Sequence, residues 1–308
     1  MTLIFTDEVF ARHEMPPGHP ERAERMAAVL EALEEDERLA SLPRRSATPA
    51  DDAALALAHP AAYVAALADA APQHGMIALD PDTHMGPNSL AAARRASGAA
   101  IAAVDAVIGG AAKNAFVASR PPGHHAEKTR PMGFCLVNHI AVAARHAQAA
   151  HGVERVAIVD FDVHHGNGTQ DIFYEDDSVL YVSTHQWPLY PGTGAVHERG
   201  AGNIVNIPLG AGTDGAAYRP LFTTGAVAAV DAFAPDLVLL SAGFDAHRDD
   251  PLGGLALDEA DFVWITETMM ALADKHAGGR LVSLLEGGYD LAALGRSAAA
   301  HVATLANA

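Results

Sequence analysis

The strongest constraint on this 308-residue chain is an alternation between two kinds of segment. Short apolar runs rich in β-branched residues, at 3–5, 115–118, 156–159, 179–182, 204–207, 237–240 and 281–285, read as strands. Between most of them lie helical patterns, at 21–35, 88–109, 138–150, 214–233 and 259–276. Apart from Asn206 and Ser283 the runs are apolar at successive residues rather than at every second one, so the strands are expected to be covered on both faces, and the alternation predicts a parallel sheet between helices. Neither an internal repeat nor a low-complexity linker interrupts the pattern, which makes residues 1–308 one catalytic-domain-sized unit. Half of the residues are hydrophobic, enough for one large α/β core without covalent staples.

Charge and cysteine content narrow the class. Twenty Lys and Arg against 38 Asp and Glu leave a formal charge of −18, which opposes a broad grip on nucleic acid or on an anionic membrane and suits a cationic substrate better. The single cysteine allows neither an intrachain disulfide nor a thiolate zinc cluster and is compatible with a reducing cytoplasm. Asp7 and Glu8 stand where a secretory signal needs a basic start, so a cytoplasmic location is expected. The alanine-rich stretches 61–71 and 225–234 are interrupted by Asp and fall short of the about 18 to 20 apolar residues that a membrane span requires. They read as helices outside a membrane.

The chemically unusual residues follow strands. Segments 119–125, 160–168, 241–250 and 286–290 each leave an apolar run, and ligands of open parallel sheets bind beyond the carboxyl ends of the strands. In an extended backbone, Asp160, Asp162 and His164 project to one side of Asp160-Phe161-Asp162-Val163-His164-His165, as a row of metal-ligating groups. Asp245 ends a buried run where an unpaired carboxylate is costly, and it makes a natural third ligand with Asp162 and His164. Two oxygens and one nitrogen suit Zn2+ and also tolerate Fe2+ or Co2+. The adjacent rings of His124 and His125 fit proton carriers, since imidazole titrates near neutrality, and Asp160 is free to set the tautomer of one of them. After 281–285, Glu286-Gly287-Gly288-Tyr289 allows a tight turn that aims a phenol back at the rim as an oxyanion donor.

Taken together, Arg120-Pro121-Pro122-Gly123-His124-His125, Met132-Gly133-Phe134-Cys135, the run from Asp160 to Gln170, Pro191-Gly192-Thr193-Gly194, Ala242-Gly243-Phe244-Asp245 and Glu286-Gly287-Gly288-Tyr289 resemble the histone deacetylase and acetylpolyamine amidohydrolase superfamily, especially its class II-like and bacterial members. The resemblance runs from about His19 to Tyr289. It implies an arginase-like three-layer α/β/α sandwich around a mostly parallel sheet of about eight strands, and metal-dependent removal of an acyl group from acylated lysine or a small acylated amine. By resemblance, Asp162, His164 and Asp245 are zinc ligands, His125 the general base, His124 its partner oriented by Asp160, and Tyr289 the transition-state phenol. Phe134 and Tyr190 match the aromatic walls of a substrate tunnel, the Gly133 carbonyl the acceptor of the substrate amide, and Arg25 a product-channel arginine. Ser183 and Thr184, with main-chain oxygens of Asp160, Asp162 and His164, match a structural K+ site.

Departures from the family pattern set the finer expectations. Asn167 replaces an Asp of some branches, so His125 is expected to be less basic, and Tyr190 replaces the usual Phe. Leu252 stands where a polyamine-selective branch carries Glu, which favours acyl-lysine or a small neutral acylamine over acetylpolyamine; Asp80, Asp82 and Asp249 are the alternative cation-binding rim acids. Asp245-Ala246-His247 lacks the second acid of a dinuclear ureohydrolase, and the intact candidate residues argue against an inactive scaffold. The chain has little room for long dimer-forming insertions, and a homo-oligomer is left open.

Overall fold

The side chains of the apolar runs need a dry surface on both sides, and in the computed structural model, which describes residues 1–307, they obtain it as strands sandwiched between helices. The strands are β1 (Thr2–Phe5), β2 (Arg44–Arg45), β3 (Ile77–Ala78), β4 (His84–Met85), β5 (Asn114–Val117), β6 (Val156–Asp160), β7 (Val179–Gln186), β8 (Ile204–Leu209), β9 (Leu237–Ala242) and β10 (Leu281–Leu285). Eight of them form one sheet in the order β2-β1-β5-β10-β9-β6-β7-β8, parallel throughout, while β3 and β4 pair as a small antiparallel ribbon. The helices are α1 (Glu24–Glu35), α2 (Glu37–Ala40), α3 (Asp52–Leu55), α4 (Ala61–Ala70), α5 (Ser89–Ile108), α6 (His139–His151), α7 (Asn167–Phe173), α8 (Gly215–Phe222), α9 (Ala228–Phe233), α10 (Glu259–His276) and α11 (Leu291–Ala306). Among the described residues, no helix is long and apolar enough to cross a membrane.

Strand geometry divides the interior into two cores. Ile4, Phe116, Ala157, Val159, Val238 and Leu240 belong to the cluster shared with α1, α10 and α11. Their strand neighbours Leu3, Phe5, Ala115, Val117, Val156, Ile158, Leu237 and Leu239 belong to the cluster shared with α5 and α6. Successive side chains thus feed opposite layers, which makes the three-layer α/β/α sandwich.

Several boundaries depart from expectation for local reasons. The predicted helix 21–35 starts only at Glu24, because Glu21 is buried against Arg25 and Arg120. The predicted helix 214–233 is broken at a π-helical turn (Thr223–Val227) that follows Pro220, where the hydroxyls of Thr223 and Thr224 donate to the Arg219 and Pro220 carbonyls. The unpredicted α7 opens on Asn167-Gly168, a turn-like pair, and the unpredicted α11 is started by the Asp290 side chain, which accepts from the Ala293 amide. Since the main sheet is parallel, all its carboxyl ends lie on one edge. The four segments singled out above leave β5, β10, β9 and β6, which are consecutive neighbours at the centre of the sheet.

Two core histidines couple this fold to pH. His139 Nε2–H donates to Pro121 O (3.2 Å) while its Nδ1 lies 2.8 Å from Ser97 Oγ, His301 lies between Thr266 Oγ1 (2.6 Å) and Ser283 Oγ (2.9 Å), and burial pushes both rings down to about 3 from 6.5. The folded rings stay neutral while the unfolded rings protonate below 6.5, so the unfolded chain binds the extra protons and stability falls as pH drops through that window. His301→Gln should flatten the dependence of unfolding free energy on pH between about 6 and 4 by about 1.4 kcal/mol per pH unit, as read from urea titrations of both proteins. Parallel profiles would show that His301 does not carry this linkage.

Candidate active site

Beyond the end of β6 the backbone bends so that Asp162 and His164 face Asp245 from β9. His164 Nδ1 lies 3.1 Å from Asp162 Oδ1 and 3.2 Å from Asp245 Oδ2, and all three residues are buried. The remaining carboxylate oxygens are fixed from the backbone: Gly287 N–H donates to Asp162 Oδ2 (2.8 Å) and Val163 N–H to Asp245 Oδ1 (2.8 Å). Burial drives Asp245 up to about 7, with the neighbouring Asp162 charge adding to it. Burial works on Asp162 in the same sense, but His124 and His164 overcome it and hold this carboxyl below the ordinary range. Two carboxylates facing one imidazole nitrogen in a dry site form a donor set for a divalent cation, which would supply the positive charge that the pair lacks.

Space around these three side chains is kept by glycine. A Cβ on Gly287 would collide with the Asp245 and Asp162 carboxylates, and one on Gly243 would collide with Asp162. The double glycine of the Glu286 turn therefore does more than permit a tight bend.

The two candidate proton carriers have different surroundings. His124 Nδ1–H donates to Asp160 Oδ2 (2.9 Å), which also accepts from Tyr181 O–H (3.0 Å). Burial alone would depress the basicity of His124, yet Asp160 and Asp162 hold it well above the usual histidine range. His125 Nδ1–H donates to Asn167 Oδ1 (2.8 Å), while the Asn167 amide donates to Glu127 Oε1 (2.8 Å). That contact puts the proton on Nδ1 and leaves Nε2 with its lone pair. Burial, reinforced by the neighbouring His124 and His164, holds His125 well below the usual range, and uncharged Asn167 supplies no charge to offset it.

Tyr289 lines the same cavity as His164 and His125. Its backbone N–H donates to Asp250 Oδ2 (2.6 Å), and the Arg25 guanidinium lies 4.8 Å from the centre of its ring. Arg25 donates to the carbonyls of Gly288 (2.6 Å) and Glu286 (2.5 Å) and to Glu21 (3.1 Å). Burial raises the phenol well above its ordinary range even though Arg25 pulls the other way, so it remains a hydrogen-bond donor at neutral pH.

A cavity of about 240 Å³ joins these groups to the surface; its walls are Phe134, Tyr190, Leu189, Leu252, Gly133 and Asp82, and His125, His164 and Tyr289 lie at its base. Gly133 and Phe134 are both left-handed, at φ +57° and +69°. A Cβ on Gly133 would strike the His125 ring, and Phe134 is held by its amide donating to Thr83 Oγ1 (3.0 Å) and by His19 edge-on at 4.6 Å. A strained non-glycine residue in such a wall marks a constrained site. The hydroxyl of Tyr190 is buried without a hydrogen-bond partner.

The rim acids divide. Asp82 lines the cavity with Asp80 beside it, whereas Asp249 is turned away toward Arg296 (3.5 Å) and His247 (3.7 Å) and does not belong to the site. Ser183 pairs with Asp160 across β6 and β7, and the Thr184 hydroxyl lies 3.4 Å from the Asp160 carbonyl, so three of the candidate K+ residues are neighbours. Three positioning groups escaped the sequence reading: Glu286, whose carboxylate accepts from Gly123 N–H (2.7 Å), His124 N–H (3.1 Å) and Ser241 O–H (3.1 Å), together with Asp250 and Tyr181. Glu286 and Asp250 have only their position after β10 and β9 as a sequence signal, and Tyr181, inside β7, has none.

The chain matches the histone deacetylase domain family over residues 19–305. It is 44% identical over 280 residues to a histone deacetylase-like amidohydrolase of Pseudomonas aeruginosa, covering 88% of this chain and 73% of that protein. A probable deacetylase of Archaeoglobus fulgidus is 40% identical over 300 residues, covering 94% of this chain and 82% of that protein. The crystal structure of the HDA15 HD domain superposes with a TM-score of 0.94 at 38% identity, over 99% of this chain and 88% of that one.

Gly287→Ala tests the packing of the ligand set. The added methyl displaces Asp245 and Asp162, and metal retention after exhaustive dialysis should weaken about 10- to 100-fold, with the unfolding temperature measured in chelator lowered as well. Undiminished metal content would show that these carboxylates do not hold the ion.

Proposed function

Since the chain belongs to the histone deacetylase family, we propose that it is a zinc-dependent amidohydrolase that removes acetyl or another acyl group from acylated lysine or a small acylated amine. The observation that carries this reading is the convergence of His125, Tyr289 and the Asp162, His164 and Asp245 donor set at the base of one narrow aromatic-walled cavity. A zinc ion held by the three ligands supplies Lewis acidity for the acyl carbonyl and the attacking water; ferrous iron or cobalt would fit the same donors. His125, with its proton on Nδ1, takes the proton of water at Nε2 and returns one to the leaving amine. His124, charged beside Asp160, offsets the surrounding carboxylates and keeps the turn in register. Tyr289 donates to the oxygen on which charge develops.

Phe134 and Tyr190 sandwich a linear alkyl chain and exclude branched amides, and the Gly133 carbonyl accepts the substrate amide N–H. Arg25, besides holding the Gly288 turn, borders the path by which the acid product leaves. Ser183 and Thr184 with the main-chain oxygens of Asp160, Asp162 and His164 would hold K+ as a structural ion. Buried Cys135, the lone thiol, is suited to a reducing cytoplasm. Residues 1–308 act as one catalytic domain.

Acetylpolyamine is the second reading, and one observation favours it: Asp82 lies on the cavity wall and presents a carboxylate to a distal ammonium. Leu252 on the same wall weighs for acyl-lysine. A dinuclear ureohydrolase is disfavoured, since His247 is occupied by Asp249 and Glu259 (3.5 Å) rather than turned to the ligands.

Tyr289→Phe should lower kcat on acetyl-lysine peptide by about 100-fold or more with metal content unchanged, given the usual contribution of one oxyanion donor. Wild-type kcat in that variant removes Tyr289 from the mechanism. The wild-type enzyme should prefer acetyl-lysine peptide to acetylspermidine in kcat/KM, and Leu252→Glu should shift the ratio toward acetylspermidine by up to about fivefold, the effect of one exposed ion pair. A wild-type preference for acetylspermidine that Asp82→Asn abolishes would establish the polyamine reading instead.

A further inference from the structure

A second group of convergent ligand atoms lies far from the catalytic rim. Helix α6 begins at His139, shortly after the loop of Gly133 and Phe134, and ends at His151, just before β6 starts, so its 13 residues carry the chain about 20 Å to the opposite edge of the sheet. In its second half His146 and His151 turn toward Asp105 of the adjacent α5. Both Nε2 atoms lie 2.7 Å from the same oxygen, Asp105 Oδ1, and the rings stand 5.5 Å apart, centre to centre, at 78° to each other. No lysine or arginine pairs with this carboxylate among the described residues, so the two imidazoles are its only ionic partners.

Two imidazole nitrogens aimed at one carboxylate oxygen bring three donors of one ion within reach. One nitrogen from each ring and one oxygen of Asp105 lie within 4.8 Å of one another, a separation that a small outward shift of each side chain converts to coordination at about 2.0–2.2 Å. The side chain of Asp105 is 49% exposed, those of His146 and His151 19% and 26%, so water completes the shell without any backbone change. The composition differs from the rim: two nitrogens and one oxygen in the open, against two oxygens and one nitrogen in a dry interior. Imidazole-rich open sites select zinc, nickel or copper over magnesium or calcium.

We propose that Asp105, His146 and His151 form a second divalent transition-metal site, which ties α5 to α6 across their packed interface and takes no part in hydrolysis. The ion joins the two histidines of α6 to a helix on the same layer, so occupancy stabilises the folded state in proportion to the free metal concentration.

Equilibrium dialysis of the full-length enzyme against rising free Zn2+ tests this. The wild type should saturate at two ions per chain, the second released first on dilution, while the double variant His146→Gln/His151→Gln should saturate at one and keep wild-type hydrolysis of an acetyl-lysine peptide. Zn2+ should also raise the unfolding temperature of the wild type more than that of the double variant, with the two proteins alike in chelator. Saturation of the wild type at one ion, or of the double variant at two, would overturn the assignment.

Discussion

Four carboxylates, Asp160, Asp162, Asp245 and Glu286, are buried at or just beyond the ends of adjacent strands, and that much negative charge out of water persists only if each oxygen finds a donor or a cation. Besides local bonds from the Asp162 amide to Asp160 and from the His164 amide to Asp162, their hydrogen bonds run between strands. Asp160 of β6 binds His124 after β5, Asp162 binds the Gly287 amide after β10, Asp245 after β9 binds the Val163 amide after β6, and Glu286 binds amides after β5 and a hydroxyl on β9. The four central loops are consequently one unit, and a displaced carboxylate would disturb all of them. The geometry also ties function to this constraint, because the donors left facing inward are those of a cation site.

A second buried charge cluster supports the opposite wall. Glu21 receives Arg120 and Arg25 in full burial, Arg120 reaches on to the carbonyls of Phe10 (2.8 Å) and His13 (3.2 Å), and Arg25 reaches to the turn of Gly288 and Tyr289. The segment that follows β1 is thereby fastened to the segment that carries the phenol. Removing one member of such a set leaves an uncompensated charge, so its parts act together in positioning Tyr289.

The sheet was legible in the chain because a strand covered on both faces writes a continuous apolar run, and seven such runs stand in the sequence at strands of the main sheet. The eighth strand, Arg44–Arg45, is two polar residues at the sheet edge and carries no such pattern. Among the candidate residues, those with local spacing could be read together: Asp160, Asp162 and His164 alternate, His124 and His125 are adjacent, and Asp245 ends an apolar run. Glu286 and Asp250 could not, because the amides that tie them to the site, Gly123 N–H and Tyr289 N–H, belong to other loops 163 and 39 residues away. Asp249 failed as a rim acid because Arg296, on α11, draws it outward, and that helix was not foreseen.

The central claim is that water, activated beside His125 and Tyr289, cleaves a linear acylamide. The most direct test is mass spectrometry of the products when purified enzyme and an acetyl-lysine peptide are incubated in water enriched in a heavy oxygen isotope. Hydrolysis by this route yields free lysine in the peptide and acetate carrying a single heavy oxygen; an intact peptide with metal bound, or acetate without the label, would contradict it.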